Sequence, residues 1–219
     1  MRTRRALAVT LAVLALTVGC TRVVDDSQPV RAWPVAPITA GQVSDVLSPK
    51  AEPEAESNLF DTVDPSRCTG IAREVDAPFL FDTDVTAAAR GGGQWFTEGQ
   101  RSQYSIQEMV AVYPSTFDPR VAVRDVRKTI DDCRDESLTV VTTEGDTLNF
   151  LALAPPDSAA PEIALWSLSG TQRSCDNAYV AAYNAAVEIT ACGDRNGYNV
   201  SELAQQALTR LHGLANMTS

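Results

Sequence analysis

The five cysteines of this chain are the residues whose types and spacing point to a definite chemistry. Cys20 directly follows an apolar stretch at the start of the chain, whereas Cys68, Cys133, Cys175 and Cys192 are spread through its later part. A cysteine at the end of an export signal becomes the first residue of a mature lipoprotein and carries acyl chains on its thiol. The other four form an even set, which in an exported protein predicts two disulfides.

Residues 1–19 have the composition of an export signal. Three arginines precede an apolar run from Ala6 to Val18, and the small Gly19 directly precedes Cys20. A membrane-spanning anchor is disfavoured, because thirteen residues fall short of the roughly 20 that cross a bilayer. An ordinary secretory signal remains the competing interpretation, since Thr17 stands where lipoprotein signals usually carry leucine. We predict a signal peptide, palmitate-type acylation of Cys20 and attachment to the extracytoplasmic face of the cell membrane.

The four later cysteines allow three disulfide pairings. Pairing of sequence neighbours, Cys68 with Cys133 and Cys175 with Cys192, is favoured. Closing loops of those lengths stabilises by roughly 3 to 4.5 kcal/mol each in the chain-entropy model. A zinc site is disfavoured, because no C-x-x-C pair occurs and His212 is the only histidine.

Residues suited to catalysis are few. His212 stands alone near the end of a helical pattern and is expected at the surface. The acidic pairs Asp82/Asp84 and Asp131/Asp132 could bind a cation or act as glycosidase carboxylates, but solvated charge is the favoured interpretation of both. The sequence has no nucleophile-elbow, metalloprotease or dinucleotide-binding motif. We therefore expect no catalytic residue, no metal and no cofactor.

Two further groups of residues were weighed as ligand contacts. The run Gly91-Gly92-Gly93 lacks the lysine and the hydroxyl residue of a phosphate-binding loop, so it predicts a flexible turn. Trp33, Trp95 and Trp166 are suited to stacking on sugars or aromatic ligands. Trp166 lies in an apolar strand pattern and is expected in the core.

The charge balance excludes one class of partner. The chain has a net charge of -10, which becomes -13 once the three arginines of the leader are removed. An acidic surface without a basic stripe repels phosphate backbones, so nucleic acid is not expected as a partner. Positively charged or neutral polar ligands fit this surface better.

The elements that position these residues fall into a tether and one domain. Residues 20–57 carry five prolines among charged and small residues, which predicts a tether. Helical spacing over Thr39–Leu47 leaves open a short helix docked on the domain. The folded domain is expected over residues 58–219.

Strand and helix patterns alternate along that domain. Asp118-Pro119 begins one amphipathic helix and Asn199 begins another, and Glu144-Gly145-Asp146 predicts a hairpin. Strands are predicted over residues 104–113, 137–143, 147–154, 162–168, 178–183 and 186–190. This succession predicts the α+β class, with a mostly antiparallel sheet and helices packed on one face.

The stretch Trp166–Gly193, WSLSGTQRSCDNAYVAAYNAAVEITACG, carries a family resemblance. It contains a tryptophan strand, Arg173, Cys175, a β-pair and Cys192-Gly193 in sequence. Together with the upstream DPSRC and the helix cysteine, it resembles the PknH-like extracellular sensor domain, which occurs in mycobacteria on a receptor kinase and on small lipoproteins. The resemblance covers about residues 58–215.

The resemblance implies two disulfides, helices packed on an antiparallel sheet and a cleft that receives an extracellular ligand, and it supplies no catalytic residues. We therefore expect a non-enzymatic, lipid-anchored module that binds an envelope ligand or a membrane protein. The alternative is a cell-envelope glycan hydrolase that uses paired carboxylates. The sequence does not identify the residues of a ligand site.

Overall fold

The structure is a computed structural model, and it describes residues 37–53, 60–73, 77–98, 102–154 and 160–217. The signal peptide, Cys20 and Trp33 lie outside the described residues. The strands are β1 (Glu52–Pro53), β2 (Phe60–Asp64), β3 (Ala89–Glu98), β4 (Gln103–Val112), β5 (Ser137–Thr142), β6 (Thr147–Leu153), β7 (Ile163–Gly170), β8 (Ser174–Ala182) and β9 (Ala185–Gly193). The helices are α1 (Val43–Val46), α2 (Pro78–Phe81), α3 (Pro119–Asp132) and α4 (Val200–Met217), with 3₁₀ turns at Ala40–Gln42 and Ser66–Cys68.

All nine strands form one antiparallel sheet in the order β1-β3-β4-β9-β8-β7-β6-β5-β2. Strands that follow each other in sequence pair at β3–β4, β5–β6, β6–β7, β7–β8 and β8–β9. The predicted hairpin at Glu144-Gly145-Asp146 is present, and Gly145 supplies the positive φ of +90° that its turn requires. The predicted α+β class and antiparallel sheet are confirmed.

The two long helices lie on opposite faces of the sheet, whereas the sequence predicted helices on one face. Tyr179 and Ala181 of β8 share a core with α3, and the alternate residues Ala178 and Val180 share a core with α4. Every residue of β8 is buried. A strand covered on both faces shows a continuous apolar run instead of alternation, and residues 178–182 form such a run, so the sequence held a sign of the second covered face that the prediction did not use.

Helix α3 begins where the sequence predicts it. One carboxylate oxygen of Asp118 accepts hydrogen bonds from the backbone N–H groups of Arg120 at 2.9 Å and Val121 at 3.4 Å, and Pro119 occupies the first turn. This cap provides an acceptor for backbone N–H groups that have no partner at an uncapped helix N-terminus. The apolar face of the helix, formed by Val123, Val126 and Ile130, is buried against the sheet.

Both disulfides favoured from the sequence are present. Cys68–Cys133 joins the 3₁₀ turn after β2 to the end of α3, with 5.8 Å between the Cα atoms. Cys175–Cys192 joins directly opposed residues of β8 and β9 and closes that hairpin at its open end. The first bond fixes one helical layer to the chain that leads into the domain, and the second braces the centre of the sheet.

The domain includes residues that composition assigned to the tether, because residues 37–53 lie against the sheet. Ile38 and Val46 are buried, and Gln42 accepts a hydrogen bond from the backbone N–H of Thr39 at 2.8 Å, which supports the short helix. The boundary expected at residue 57 therefore differs from the structure. The proline content indicated that this segment cannot form a core by itself. It is instead held by contacts with distant residues, such as the hydrogen bond from the Ile38 N–H to Asn184.

The glycine run at 91–93 is strand rather than turn. It lies inside β3, and a Cβ at Gly93 would lie 2.8 Å from the Cβ of Ala51 and 2.9 Å from the carbonyl oxygen of Glu52. Glycine is needed there because β1 approaches the strand too closely for a side chain. The prediction of a flexible turn was wrong, since the local sequence carries no sign of that approach.

Candidate ligand-binding cleft

A cleft of about 450 Å³ lies between the chain around α2 and the first half of α3. Its volume is within the range of about 300 to 1,000 Å³ that is typical of small-molecule sites. The residues that line it are Thr69, Pro78, Phe79, Asp82, Thr83, Asp84, Val85, Thr116, Phe117, Asp118, Val121, Ala122, Asp125, Val126 and Thr129. We call this site the α2–α3 cleft.

The floor of the α2–α3 cleft is apolar and includes two phenylalanines. Phe117 stacks on Tyr113, with ring centroids 4.1 Å apart and an interplanar angle of 7°. Phe79 makes edge contacts with Trp166 at 5.7 Å and with Tyr179 at 6.3 Å. Rings fixed by such contacts present a preformed surface to an apolar ligand, which lowers the entropic cost of binding.

Tyr113 links this floor to α2. Its hydroxyl donates a hydrogen bond to the carbonyl oxygen of Leu80 at 2.6 Å. Burial raises the pKa of Tyr113, and the nearby Glu188 carboxylate raises it further while Arg90 opposes the change. The phenol therefore remains neutral across the physiological range and keeps its donated bond, which holds α2 at the edge of the cleft.

The rim of the α2–α3 cleft is acidic. Four exposed aspartates line it, two in the segment after α2 and two on or next to α3: Asp82, Asp84, Asp118 and Asp125. No lysine, arginine or histidine is among the residues that line it. The sequence singled out Asp82 and Asp84 as an acidic pair, and the structure places both at this rim with Asp118 and Asp125 of α3 and its cap.

A second concave region runs along the other side of α3. This groove, of about 1330 Å³, extends from Ser115 to His212, and its lining combines four basic and four acidic side chains. Arg127 donates to the carbonyl oxygen of Ile163 at 2.8 Å, and Lys128 forms an ion pair with Asp132. The charges of the groove are therefore largely engaged with partners inside the protein.

The other residues that the sequence singled out and the structure describes lie outside the lining of the α2–α3 cleft. His212 is exposed, and its Nδ1 lies 2.8 Å from the hydroxyl of Tyr183. Trp166 is buried, as predicted, and donates to the carbonyl oxygen of Ile71 at 2.7 Å. Trp95 is buried as well, so it is not available for stacking on a ligand. Asp131 lies in the groove along α3 and pairs with Arg134 at 2.5 Å.

The floor residues were not identified from the sequence. Phe79 belongs to a helix of only four residues, which is too short for a periodic pattern. Phe117 directly precedes the Asp118-Pro119 cap, and that position was the one signal that could have indicated it.

The described part of the chain offers neither a cluster of metal ligands nor a membrane-spanning helix. It holds no group of three or more histidine, cysteine, aspartate or glutamate side chains arranged to bind a metal ion. Within the same residues, no helix combines the length and apolar character that crossing a bilayer requires.

Comparison with known proteins identifies the family. The family model of the PknH-like extracellular domain matches residues 29–210. The crystal structure of the extracellular domain of PknH from Mycobacterium tuberculosis superposes with a TM-score of 0.65 at 16% sequence identity, covering 82% of this chain and 99% of that chain. No curated protein matches the chain. The family indicates a sensor-type domain with an extracytoplasmic location. The chain belongs to the family of PknH-like extracellular domains.

Proposed function

We propose that this protein is a lipid-anchored, non-enzymatic domain that binds a ligand of the cell envelope in the α2–α3 cleft. The observation that carries the proposal is the cleft itself, a preformed concavity with apolar rings and acidic side chains between two elements fixed by aromatic contacts. The cleft is roomy enough for a small molecule and too small to receive a folded partner. A membrane protein that docks on the rim is the second class of partner that we expect.

The α2–α3 cleft is a better candidate than the groove along α3. In the groove, Arg127, Lys128 and Asp131 already have partners, so a ligand would have to displace contacts that the protein makes itself. In the cleft Phe79 is half-buried and so partly open to a ligand, and Val121 exposes 39% of its surface at the edge. Burying such apolar surface contributes about 25 cal/mol per Å² to affinity before the costs of association.

Binding is favoured over glycan hydrolysis. A glycosidase needs one carboxyl group kept protonated in a desolvated site and a second carboxylate beside it. All four aspartates of the cleft have exposed side chains. Exposed positions lack the desolvated surroundings that the acid of a glycosidase needs.

The membrane anchor is part of the proposal and rests on Cys20. The described domain begins at Pro37, so 16 residues, 21–36, separate it from that cysteine. Fully extended, such a segment spans at most about 55 Å. Metabolic labelling with a clickable palmitate analogue tests this step. We expect label on the wild type and none on Cys20→Ala, and label retained by Cys20→Ala would contradict the assignment.

The binding step is tested by thermal shift against envelope glycolipids and peptidoglycan fragments. Val121→Trp places a large ring in the mouth of the cleft, and Lys128→Trp adds the same ring to the exposed side of the same helix as a control. We expect at least one ligand class to raise the Tm of the wild type and of Lys128→Trp but not of Val121→Trp. A shift that persists in Val121→Trp, or no shift with any class, would contradict the proposal.

A further inference from the structure

The lining of the α2–α3 cleft contains four aspartates and no basic side chain. The carboxylates of Asp82 and Asp84 make no hydrogen bond or ion pair with any residue of the described ranges. Asp118 uses one oxygen to cap α3, and Asp125 contacts Arg124, whose guanidinium lies outside the cleft lining. The rim therefore presents two carboxylates, those of Asp82 and Asp84, that no positive group of the described residues offsets, whereas Arg124 offsets Asp125.

Apolar side chains form another part of the lining, which is the floor. Phe79, Phe117, Val85 and Val126 contribute aromatic and aliphatic groups to it, and four threonines line the cleft beside them. A ligand held only by charge would leave this surface in contact with water. A ligand that also carries an apolar group covers it and gains affinity from its burial.

We propose that the ligand of the α2–α3 cleft is a small amphiphilic cation, which places an aliphatic or aromatic group on the floor and a primary ammonium or guanidinium group among the rim carboxylates. This inference rests on the proposed function, because it names the class of ligand for the same site. Asp82 and Asp84 provide the attraction, and Phe79 and Phe117 provide the apolar contact. An anionic ligand of the same shape would meet four carboxylates and no cation.

A bare metal ion does not satisfy the same site. Metal binding needs several oxygen ligands that converge on one point, and no group of three or more candidate ligands converges within the part of the chain that the structure describes. The rim carboxylates are spread along two elements instead. An organic cation tolerates that spread, because long-range attraction and apolar contact act together.

Isothermal titration of the mature protein with three eight-carbon probes tests the inference. Octylamine is cationic at pH 7, octanol is neutral and octanoate is anionic, so the series varies the charge at a constant apolar chain. We expect octylamine to bind roughly five- to tenfold more tightly than octanol in low salt, and octanoate to bind most weakly. Raising the salt concentration should reduce the difference between octylamine and octanol.

Two double variants locate the charge effect. Asp82→Asn with Asp84→Asn removes two carboxylates of the rim, whereas Asp61→Asn with Asp194→Asn makes the same change of net charge at exposed positions outside the cleft. We expect the first pair to bring octylamine close to the affinity of octanol and the second pair to leave the preference unchanged. An equal loss in both would show a general charge effect and overturn the inference.

The remaining outcomes separate this inference from the proposed function. Equal binding of all three probes, abolished by Val121→Trp, would overturn the cationic class and leave the cleft as a binding site. Octylamine binding that survives Val121→Trp would overturn the inference, because the probe would then lie elsewhere. Failure of all three probes, with a cleft-dependent thermal shift from another ligand class, would also overturn it.

Discussion

Arg210 of α4 reaches Glu108 of β4 at a point where the Glu108 side chain is completely buried. The Arg210 Nη2 atom lies 3.1 Å from Oε1 and 3.3 Å from Oε2, and its Nε donates to the carbonyl oxygen of Val46 at 2.9 Å. Oε2 of Glu108 also accepts the backbone N–H of Ser48 at 2.6 Å. One ion pair therefore fastens the last helix, the sheet and the N-terminal segment to each other.

Replacing Arg210 by methionine is expected to destabilise the domain strongly. The substitution preserves much of the aliphatic packing but leaves the Glu108 charge buried without its cation, which typically costs about 3 to 5 kcal/mol. Urea unfolding of the oxidised protein measures the loss. Lys128→Ala, which removes an exposed ion pair, is the control and should cost less than about 1 kcal/mol. Equal losses in both variants would contradict this role for the buried pair.

The same carboxyl group predicts a pH dependence. Burial raises the pKa of Glu108, while Arg210 and the Ser48 N–H partly oppose the change. Because the folded pKa is above that of the unfolded chain, this group's contribution is fully present below the unfolded value and is lost as pH rises through the folded value. The stability of the wild type relative to Glu108→Gln should therefore be greater at pH 4.5 than at pH 7.5. The opposite trend in urea unfolding would show that the arginine dominates.

Asn184 at the turn between β8 and β9 is expected to hold the start of the domain. Its side-chain oxygen accepts the Ile38 N–H at 2.8 Å, and its amide donates to the carbonyl oxygens of Ile38 at 2.9 Å and Tyr113 at 2.7 Å. Asn184→Ala should cost about 1 to 3 kcal/mol, since it leaves buried polar groups without partners.

Hydrogen exchange provides a local test of this contact. The amide of Ile38 should exchange much faster in Asn184→Ala than in the wild type, and the centre of β9 should remain protected. Asn149→Ala, at an exposed position, is the control and should leave Ile38 unchanged. Unchanged protection of Ile38 in Asn184→Ala would mean that other contacts hold the segment.

The two disulfides are expected to differ in their contribution. Their sequence separations are 65 for Cys68–Cys133 and 17 for Cys175–Cys192. In the chain-entropy model the longer loop contributes about 4 kcal/mol and the shorter about 3 kcal/mol. Unfolding of the paired cysteine-to-serine variants should therefore show the larger loss for the first bond. A larger loss for the second would indicate that strain or packing in the hairpin outweighs loop entropy.

Local signals in the sequence were sufficient for much of the fold. Asp118-Pro119 begins a helix because a capping oxygen and a fixed φ are properties of those two residues, and the hairpin at Glu144-Gly145-Asp146 depends on its own turn. Each disulfide joins cysteines that follow one another in the order of the four later cysteines, although the first pair spans 65 residues. These features needed no knowledge of the remaining chain.

Features that depend on distant residues were missed. Ile38 is fixed by Asn184, 146 positions away, so the proline-rich composition around it predicted a tether instead of a docked segment. Gly93 lies in a glycine run that is typical of a turn, and only the close approach of β1 in the folded chain explains why glycine is needed there. The cleft was missed for the same reason. Asp82 and Asp84 were identified as an acidic pair, but the apolar floor beside them comes from elements that meet only in the folded chain.

Uptake of the ligand in the α2–α3 cleft is the step on which the proposed function depends. A protein-observed NMR fragment screen, with neutral, cationic and anionic fragments titrated into the ¹⁵N-labelled mature domain, tests it most directly. We expect the largest amide shifts to cluster at Phe79, Val85, Phe117 and Val121. Shifts that cluster along the groove at Tyr183 and His212, or no cluster with any fragment, would contradict it.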